Sequence, residues 1–138
     1  MKISDAGINL IKRFEGCRLE AYQDSAKVWT IGYGHTGGVY KGQVISQMEA
    51  DVLLRQDLVK AELAVSKYDN KYHWTQNQFD ALVSFAFNIG SINQLTAKGT
   101  RSISEISAKI PAYRKAGGKV LSGLVKRRQA EKELFDKA

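Results

Sequence analysis

The 138-residue chain contains only one cysteine, one proline and no long apolar run. Cys17 has no second cysteine to pair with, so the sequence requires neither a disulfide nor an oxidising compartment. We expect a packed or half-buried thiol, since a nucleophilic cysteine needs a neighbouring base. Because 43% of the residues are hydrophobic and low-complexity tracts are absent, the composition excludes a disordered chain and indicates an ordered globular protein.

The N-terminal segment lacks the apolar run of a signal peptide or an anchor. Polar and charged residues interrupt it at Asp5, Asn9, Lys12 and Arg13. No later segment approaches the length of a membrane span. We therefore expect synthesis in the cytoplasm, with any later export depending on another protein.

Acidic residues become scarce only towards the end of the chain. Residues 1–97 contain ten Lys/Arg and ten Asp/Glu, whereas residues 98–138 contain eleven and four. The whole net charge of +7 therefore lies in the last third. Such a localised excess is typical of proteins that meet an anionic polymer or surface, such as nucleic acid, an acidic envelope or an anionic glycan.

Hydrophobic periodicity and capping signals predict a mainly helical chain. A first helix is expected over residues 4–14, and Gly16 is a natural residue for ending it. Capping boxes that begin at Ser46, Thr75 and Ser102 predict three further helices. The second of these, FDALVSFAFNIG, is apolar nearly all round and should be the buried central helix.

The C-terminal part is expected to finish the helical portion. The segment RKAGGK reads as a loop because it combines charge with two glycines. The last helix is then predicted from about Gly123 to Asp136.

Residues 17–45 differ from the rest of the chain, because aromatic and branched residues alternate with Gly, Asp, Ser and Thr. This pattern predicts two or three short antiparallel strands. The expected fold class is α+β, with a small N-terminal β-hairpin lobe packed on a mainly helical lobe and a cleft between them. We expect one domain of residues 1–138, in which about 15–45 form the strand lobe and 1–14 with 46–138 form the helical lobe.

Glu15, Asp24 and Thr30 form the candidate catalytic group. A carboxyl group at a helix end that faces a second carboxyl on a hairpin suits glycoside hydrolysis. One carboxyl protonates the departing oxygen, while the other holds a water molecule or stabilises positive charge. The alternative from the residues alone is structural: a surface glutamate, a turn-forming aspartate and a strand threonine.

Three blocks of the chain resemble one known family in the same order. FEGCRLEAYQDSAKVWTIGYGHTGG resembles the N-terminal active-site segment of phage-type lysozymes, glycoside hydrolase family 24. TQNQFDALVSFAFNIG and GLVKRRQAEKELF resemble the central and closing helices of the same family. The blocks span nearly the whole chain, so the resemblance implies a lysozyme-like α+β fold.

The resemblance also implies a reaction and the role of each catalytic residue. Glu15 matches the general acid, Asp24 the carboxylate that positions or activates water, and Thr30 the threonine that assists this water. The family cleaves the β-1,4 bond between N-acetylmuramic acid and N-acetylglucosamine in peptidoglycan, generally with inversion, which fits carboxyls about 6.5–9.5 Å apart. No metal or cofactor is implied. We expect a monomer that binds glycan strands, without nucleic acid or an inserted membrane as partner.

Further positions match the family less specifically. Thr36, Phe87 and Asn88 match positions that line the saccharide groove, although Phe87 is equally consistent with a core residue and Asn88 with a backbone contact. His35 matches a recurrent histidine for which we expect a structural role. Arg127 and Arg128 resemble paired arginines. One of them is expected to hold the last helix, while most of the basic charge is solvated.

The chain departs from the family pattern between Gly90 and Gly118, which leaves the lower lip of the groove unassigned. Rival interpretations are a lytic transglycosylase on the same substrate, a chitin or chitosan hydrolase, and an inactive lysozyme-like binder. A further rival is a basic module that binds envelope or nucleic acid. The resemblance further implies a phage lysin that reaches the wall through a holin-type membrane lesion.

Overall fold

The structure is a computed structural model that describes residues 1–138 and contains six α-helices and four short β-strands. The helices are α1 (Asp5–Glu15), α2 (Gln47–Ser66), α3 (Asp69–Tyr72), α4 (Gln76–Ile89), α5 (Ile103–Lys109) and α6 (Ser122–Asp136). The strands are β1 (Arg18–Gln23), β2 (Trp29–Gly32), β3 (Lys115–Ala116) and β4 (Lys119–Val120). The predicted α+β class is confirmed. No helix combines the length and the apolar character that a membrane span needs.

The chain divides into two compact units, and Ile11–Val59 form the smaller one. In this unit β1 and β2 pair antiparallel, with Tyr22 opposite Thr30 and Gln23 opposite Trp29. The possible third strand is reduced to a single bridge between Glu20 and Val44. The core of the unit consists of residues from α1, β2, the following loop and α2: Ile11, Ile31, Tyr33, Ile45, Ala50, Leu54 and Leu58.

Met1–Leu10 and Lys60–Ala138 form the larger unit, which is organised around α4. Every residue of α4 from Phe79 to Ala86 is buried, as the apolar pattern predicts. This helix packs chiefly against α6. The predicted lobe boundaries at about residues 15 and 45 stay a prediction.

The three predicted capping boxes are all present. In each box the first residue accepts a hydrogen bond from the backbone N–H three positions later, and the fourth side chain bonds back to the first N–H. The pairs are Ser46 with Glu49, Thr75 with Gln78, and Ser102 with Glu105. These helix starts are therefore determined by local chemistry that is readable in the sequence.

The prediction that the segment RKAGGK is a loop is wrong, because this segment forms a tight hairpin. Lys115 pairs with Val120 and Ala116 with Lys119. Gly117 and Gly118 form the turn with φ angles of +58° and +78°. Two consecutive positive φ angles characterise the two-residue turn that matches the twist of a hairpin, and glycine adopts them without strain.

The buried charges of α6 correct the expectation that only one of its paired arginines holds this helix. Arg127 and Arg128 are both buried and converge on the buried carboxylate of Glu131. Ser84 of α4 donates a hydrogen bond of 2.6 Å to the same carboxylate, and the guanidinium of Arg127 donates to the Ser84 carbonyl oxygen. Both arginines, rather than one, therefore belong to the α4–α6 interface.

An added methyl group should have opposite effects on stability at the two helical glycines Gly7 and Gly123. A Cβ on Gly7 would lie 2.6 Å from Ile3 Cγ1 and 2.8 Å from Asp80 Cβ, whereas a Cβ on Gly123 would meet nothing within 4 Å. We expect Gly7→Ala to lower the free energy of unfolding by about 1–3 kcal/mol. Gly123→Ala should raise it by about 0.5 kcal/mol. Urea denaturation of both variants measures the difference, and a stabilised Gly7→Ala would contradict the packing around α1.

Candidate active site

Glu15 is the last residue of α1 and is half-buried. Gly16 ends the helix with a φ angle of +69°, and its N–H donates to the Lys12 carbonyl oxygen at 3.1 Å. The Oε1 atom of Glu15 lies 3.5 Å from the position that a Cβ would occupy on Gly34, whose φ angle is +89°. A Cβ would make only ordinary contact there, so the positive φ angle rather than a lack of space favours glycine at position 34.

An ion pair ties the last turn of α1 to α2 within the smaller unit. Lys12 Nζ lies 3.0 Å from Asp51 Oδ1. The hydrogen bond between them raises the pKa of Lys12 and lowers the pKa of Asp51. The side chain of Lys12 is 28% exposed and that of Asp51 is 42% exposed, so water screens the pair and it contributes little to stability.

Asp24 closes the turn between β1 and β2 with its own side chain. Its Oδ1 atom accepts hydrogen bonds from the N–H groups of Ala26 at 2.8 Å and Val28 at 2.9 Å. The backbone N–H of Asp24 donates to the Val28 carbonyl oxygen at 3.0 Å. These bonds hold one carboxylate oxygen inside the turn and leave Oδ2 without a hydrogen bond from the chain.

Thr30 lies on β2 opposite Tyr22 and is only 4% exposed. Its hydroxyl group donates to the Val28 carbonyl oxygen at 3.0 Å. This carbonyl also accepts the N–H of Asp24. Val28 therefore connects the two predicted catalytic residues through its backbone, a role that no side-chain motif in the sequence signals.

His35 contacts Asp57 on α2 and the loop after β2, and its structural role stays a prediction. Its Nδ1 atom lies 2.9 and 3.1 Å from the two carboxylate oxygens of Asp57 on α2. Its Nε2 atom lies 2.8 Å from the Gly37 carbonyl oxygen. Both partners are acceptors, so the ring satisfies both only when each nitrogen carries a proton. Asp57 was not among the candidate residues, because its 22-residue separation from His35 leaves no local signal.

The predicted groove residues lie in different units. Thr36 is exposed in the smaller unit, directly after His35. Phe87 is half-buried and Asn88 is exposed, and both lie near the C-terminal end of α4 in the larger unit. Their roles in binding saccharide stay predictions.

Cys17 is exposed, so the expectation of a packed or half-buried thiol is wrong. It directly follows Gly16 at the start of the hairpin, and its Sγ atom lies 4.0 Å from Gln47 Oε1. The residues around Cys17 in sequence could not show this exposure, because it depends on which parts of the folded chain surround the thiol.

The family model described as phage lysozyme matches residues 12–131. The chain belongs to the phage lysozyme family. The matched segment includes Glu15, Asp24 and Thr30, as well as the His35–Asp57 pair.

Members of the phage lysozyme family and related solved structures are similar to this chain in sequence and in structure. The chain is 45% identical to the endolysin of Lactococcus phage c2 over 99% of its own length and 61% of the relative. It is 44% identical to the endolysin of Acyrthosiphon pisum secondary endosymbiont phage 1, with both chains covered completely. The solved muramidase domain of SpmX from Asticaccaulis excentricus is 40% identical, with a TM-score of 0.85 and 99% of each chain covered. The chain thus spans about three fifths of the Lactococcus phage relative.

Proposed function

We propose that the chain hydrolyses the β-1,4 bond between N-acetylmuramic acid and N-acetylglucosamine in bacterial peptidoglycan. Membership of the phage lysozyme family supports a wall-degrading lysin. One observation carries the catalytic assignment. The backbone N–H of Asp24 and the hydroxyl group of Thr30 both donate hydrogen bonds to the Val28 carbonyl oxygen. Under this proposal the partner is the glycan strand, and the chain acts as a monomer.

The hydrogen bonds define which atoms remain available to a water molecule. Asp24 Oδ1 is occupied by two backbone N–H groups, so Oδ2 is the oxygen available as an acceptor. The Thr30 hydroxyl hydrogen is directed to the Val28 carbonyl, so the lone pairs of this hydroxyl also remain as acceptors. A water molecule that donates one hydrogen to each of them directs its own lone pair towards the sugar carbon.

The proposed reaction then proceeds by a single displacement. The water oxygen forms a bond to C1 of N-acetylmuramic acid as the bond from C1 to the glycosidic oxygen breaks. Glu15 gives its proton to the departing oxygen, and Asp24 receives a proton from the water. Attack from the face opposite the leaving group inverts the configuration at C1.

Digestion of purified peptidoglycan, followed by mass spectrometry of the fragments, tests this proposal. We expect turbidity to fall and reducing N-acetylmuramic acid ends to appear. Anhydro-muramic ends would instead establish a lytic transglycosylase, in which the sugar's own hydroxyl attacks. Absence of clearing would overturn the enzymatic proposal for this substrate.

Two substitutions at Thr30 test the water-positioning role. Thr30→Val keeps the shape but removes the hydroxyl group, and we expect the rate of fragment release to fall roughly 10–100-fold because the water loses one of its two acceptors. Thr30→Ser keeps the hydroxyl group, so its rate of fragment release should fall less than about fivefold. Melting temperatures of both variants establish that they fold. Equal activities of the two folded variants would contradict the role.

The site of action follows from the proposed substrate. The chain would act on the bacterial cell wall, and its passage through a holin-type lesion stays a prediction.

A further inference from the structure

The hairpin β3–β4 and the first turn of α6 carry an unusual concentration of exposed positive charge. No acidic residue occurs between Glu105 and Glu131. Residues 114–126, which we name the basic hairpin surface, include four exposed cations, and none of them forms an ion pair within 4.0 Å. These cations are Arg114, Lys115, Lys119 and Lys126.

The same surface exposes three large apolar side chains. Val120, Leu121 and Val125 are 53%, 44% and 42% exposed. Val120 is directly opposite Lys115 in the hairpin, so these two side chains lie on the same face. Leu121 and Val125 are four residues apart, and the Val125 N–H donates to the Leu121 carbonyl oxygen, so they are neighbours on one side of the helix start.

The tip of the hairpin has no side chains. Gly117 and Gly118 form the turn, and a Cβ on either would meet nothing within 4 Å. Lys115 and Lys119 flank the tip from opposite faces, because they pair with Val120 and Ala116 respectively. The tip can therefore approach a surface closely while both lysines reach it.

We propose that the basic hairpin surface binds the anionic phosphate headgroups of a lipid bilayer, with Val120, Leu121 and Val125 entering the interface. Cations bind favourably to any polyanion. The exposed apolar side chains add to the binding free energy only where an apolar phase lies below the phosphates. The long lysine and arginine side chains keep their charges at the headgroup level while their apolar stems lie deeper. This binding is peripheral and lies outside the proposed catalytic group.

Sedimentation of the full chain with vesicles tests the proposal. Vesicles of phosphatidylglycerol and phosphatidylcholine provide the anionic surface, and vesicles of phosphatidylcholine alone provide the neutral one. We expect binding to the anionic vesicles only. Lys115→Gln/Lys119→Gln should weaken it by roughly 25-fold, since each surface cation contributes about fivefold. Val120→Ser/Leu121→Ser should weaken it at least several-fold at unchanged net charge.

Controls separate this surface from total charge and from catalysis. Lys41→Gln/Lys60→Gln removes the same charge from exposed positions elsewhere and should weaken binding far less than the hairpin pair. Glu15→Gln should bind as the wild type does, so the outcome is independent of the proposed reaction. Equal losses from the two lysine pairs would overturn the proposal. Absence of binding to anionic vesicles would also overturn it. Wild-type binding by Val120→Ser/Leu121→Ser, with equally tight binding to double-stranded DNA, would assign the surface to a hydrophilic polyanion instead.

Discussion

Replacement of Glu15 by glutamine is expected to reduce the release of peptidoglycan fragments by about 10²–10⁴-fold, the range that general acid catalysis contributes. Glutamine has nearly the same shape but no proton that it can give to the departing oxygen. Its amide has room beside Gly34, because Glu15 Oε1 lies 3.5 Å even from the position that a Cβ would occupy on this residue. Turbidity clearing and mass spectrometry of the released fragments measure this effect.

Glu20→Gln is the matched control for this experiment. Glu20 is an exposed carboxylate on β1, five residues from Glu15, and lies within the same unit. Its substitution changes the net charge equally and should leave activity within about twofold, because an exposed surface change has little effect on the fold. If the two variants lost activity equally, Glu15 would not be the acid. If neither lost it, the whole catalytic assignment would be wrong.

The second large effect is expected for Asp57→Asn. The carboxylate of Asp57 accepts from His35 Nδ1 at 2.9 Å and holds the loop after β2 against α2. The two side chains are only 18% and 29% exposed, so the charged hydrogen bond should contribute about 1.5–3 kcal/mol to the free energy of unfolding. Urea denaturation at neutral pH measures the loss.

Asp51→Asn provides the control on the same helix. Asp51 also forms an ion pair, with Lys12, but its side chain is 42% exposed. We expect its substitution to lower the free energy of unfolding much less than Asp57→Asn does, because water screens exposed ion pairs. An Asp57→Asn variant as stable as Asp51→Asn would show that His35 does not hold the loop.

Much of the helical structure could be predicted from the sequence because it depends on neighbouring residues. Each capping box lies within four residues, and the three predicted starts at Ser46, Thr75 and Ser102 are all observed. The buried central helix also followed from its sequence, since a segment that is apolar on every side has no face to expose.

The errors occurred where a local pattern has two outcomes. RKAGGK is consistent with either a loop or a two-residue hairpin turn, and the pairing of Lys115 with Val120 decides between them. The exposure of Cys17 likewise is a property of the folded chain that its neighbours in sequence do not determine.

The sequence by itself determined the fold class, the starts of α2, α4 and α5, and the family, because periodicity, caps and motif order are local or linear properties. Only the tertiary structure decided which distant groups meet. It paired His35 with Asp57 and buried Arg127 and Arg128 around Glu131. It also left the cations and apolar residues of the basic hairpin surface exposed together. Such contacts depend on chain folding in three dimensions, since burial and charge pairing arise from residues far apart in sequence.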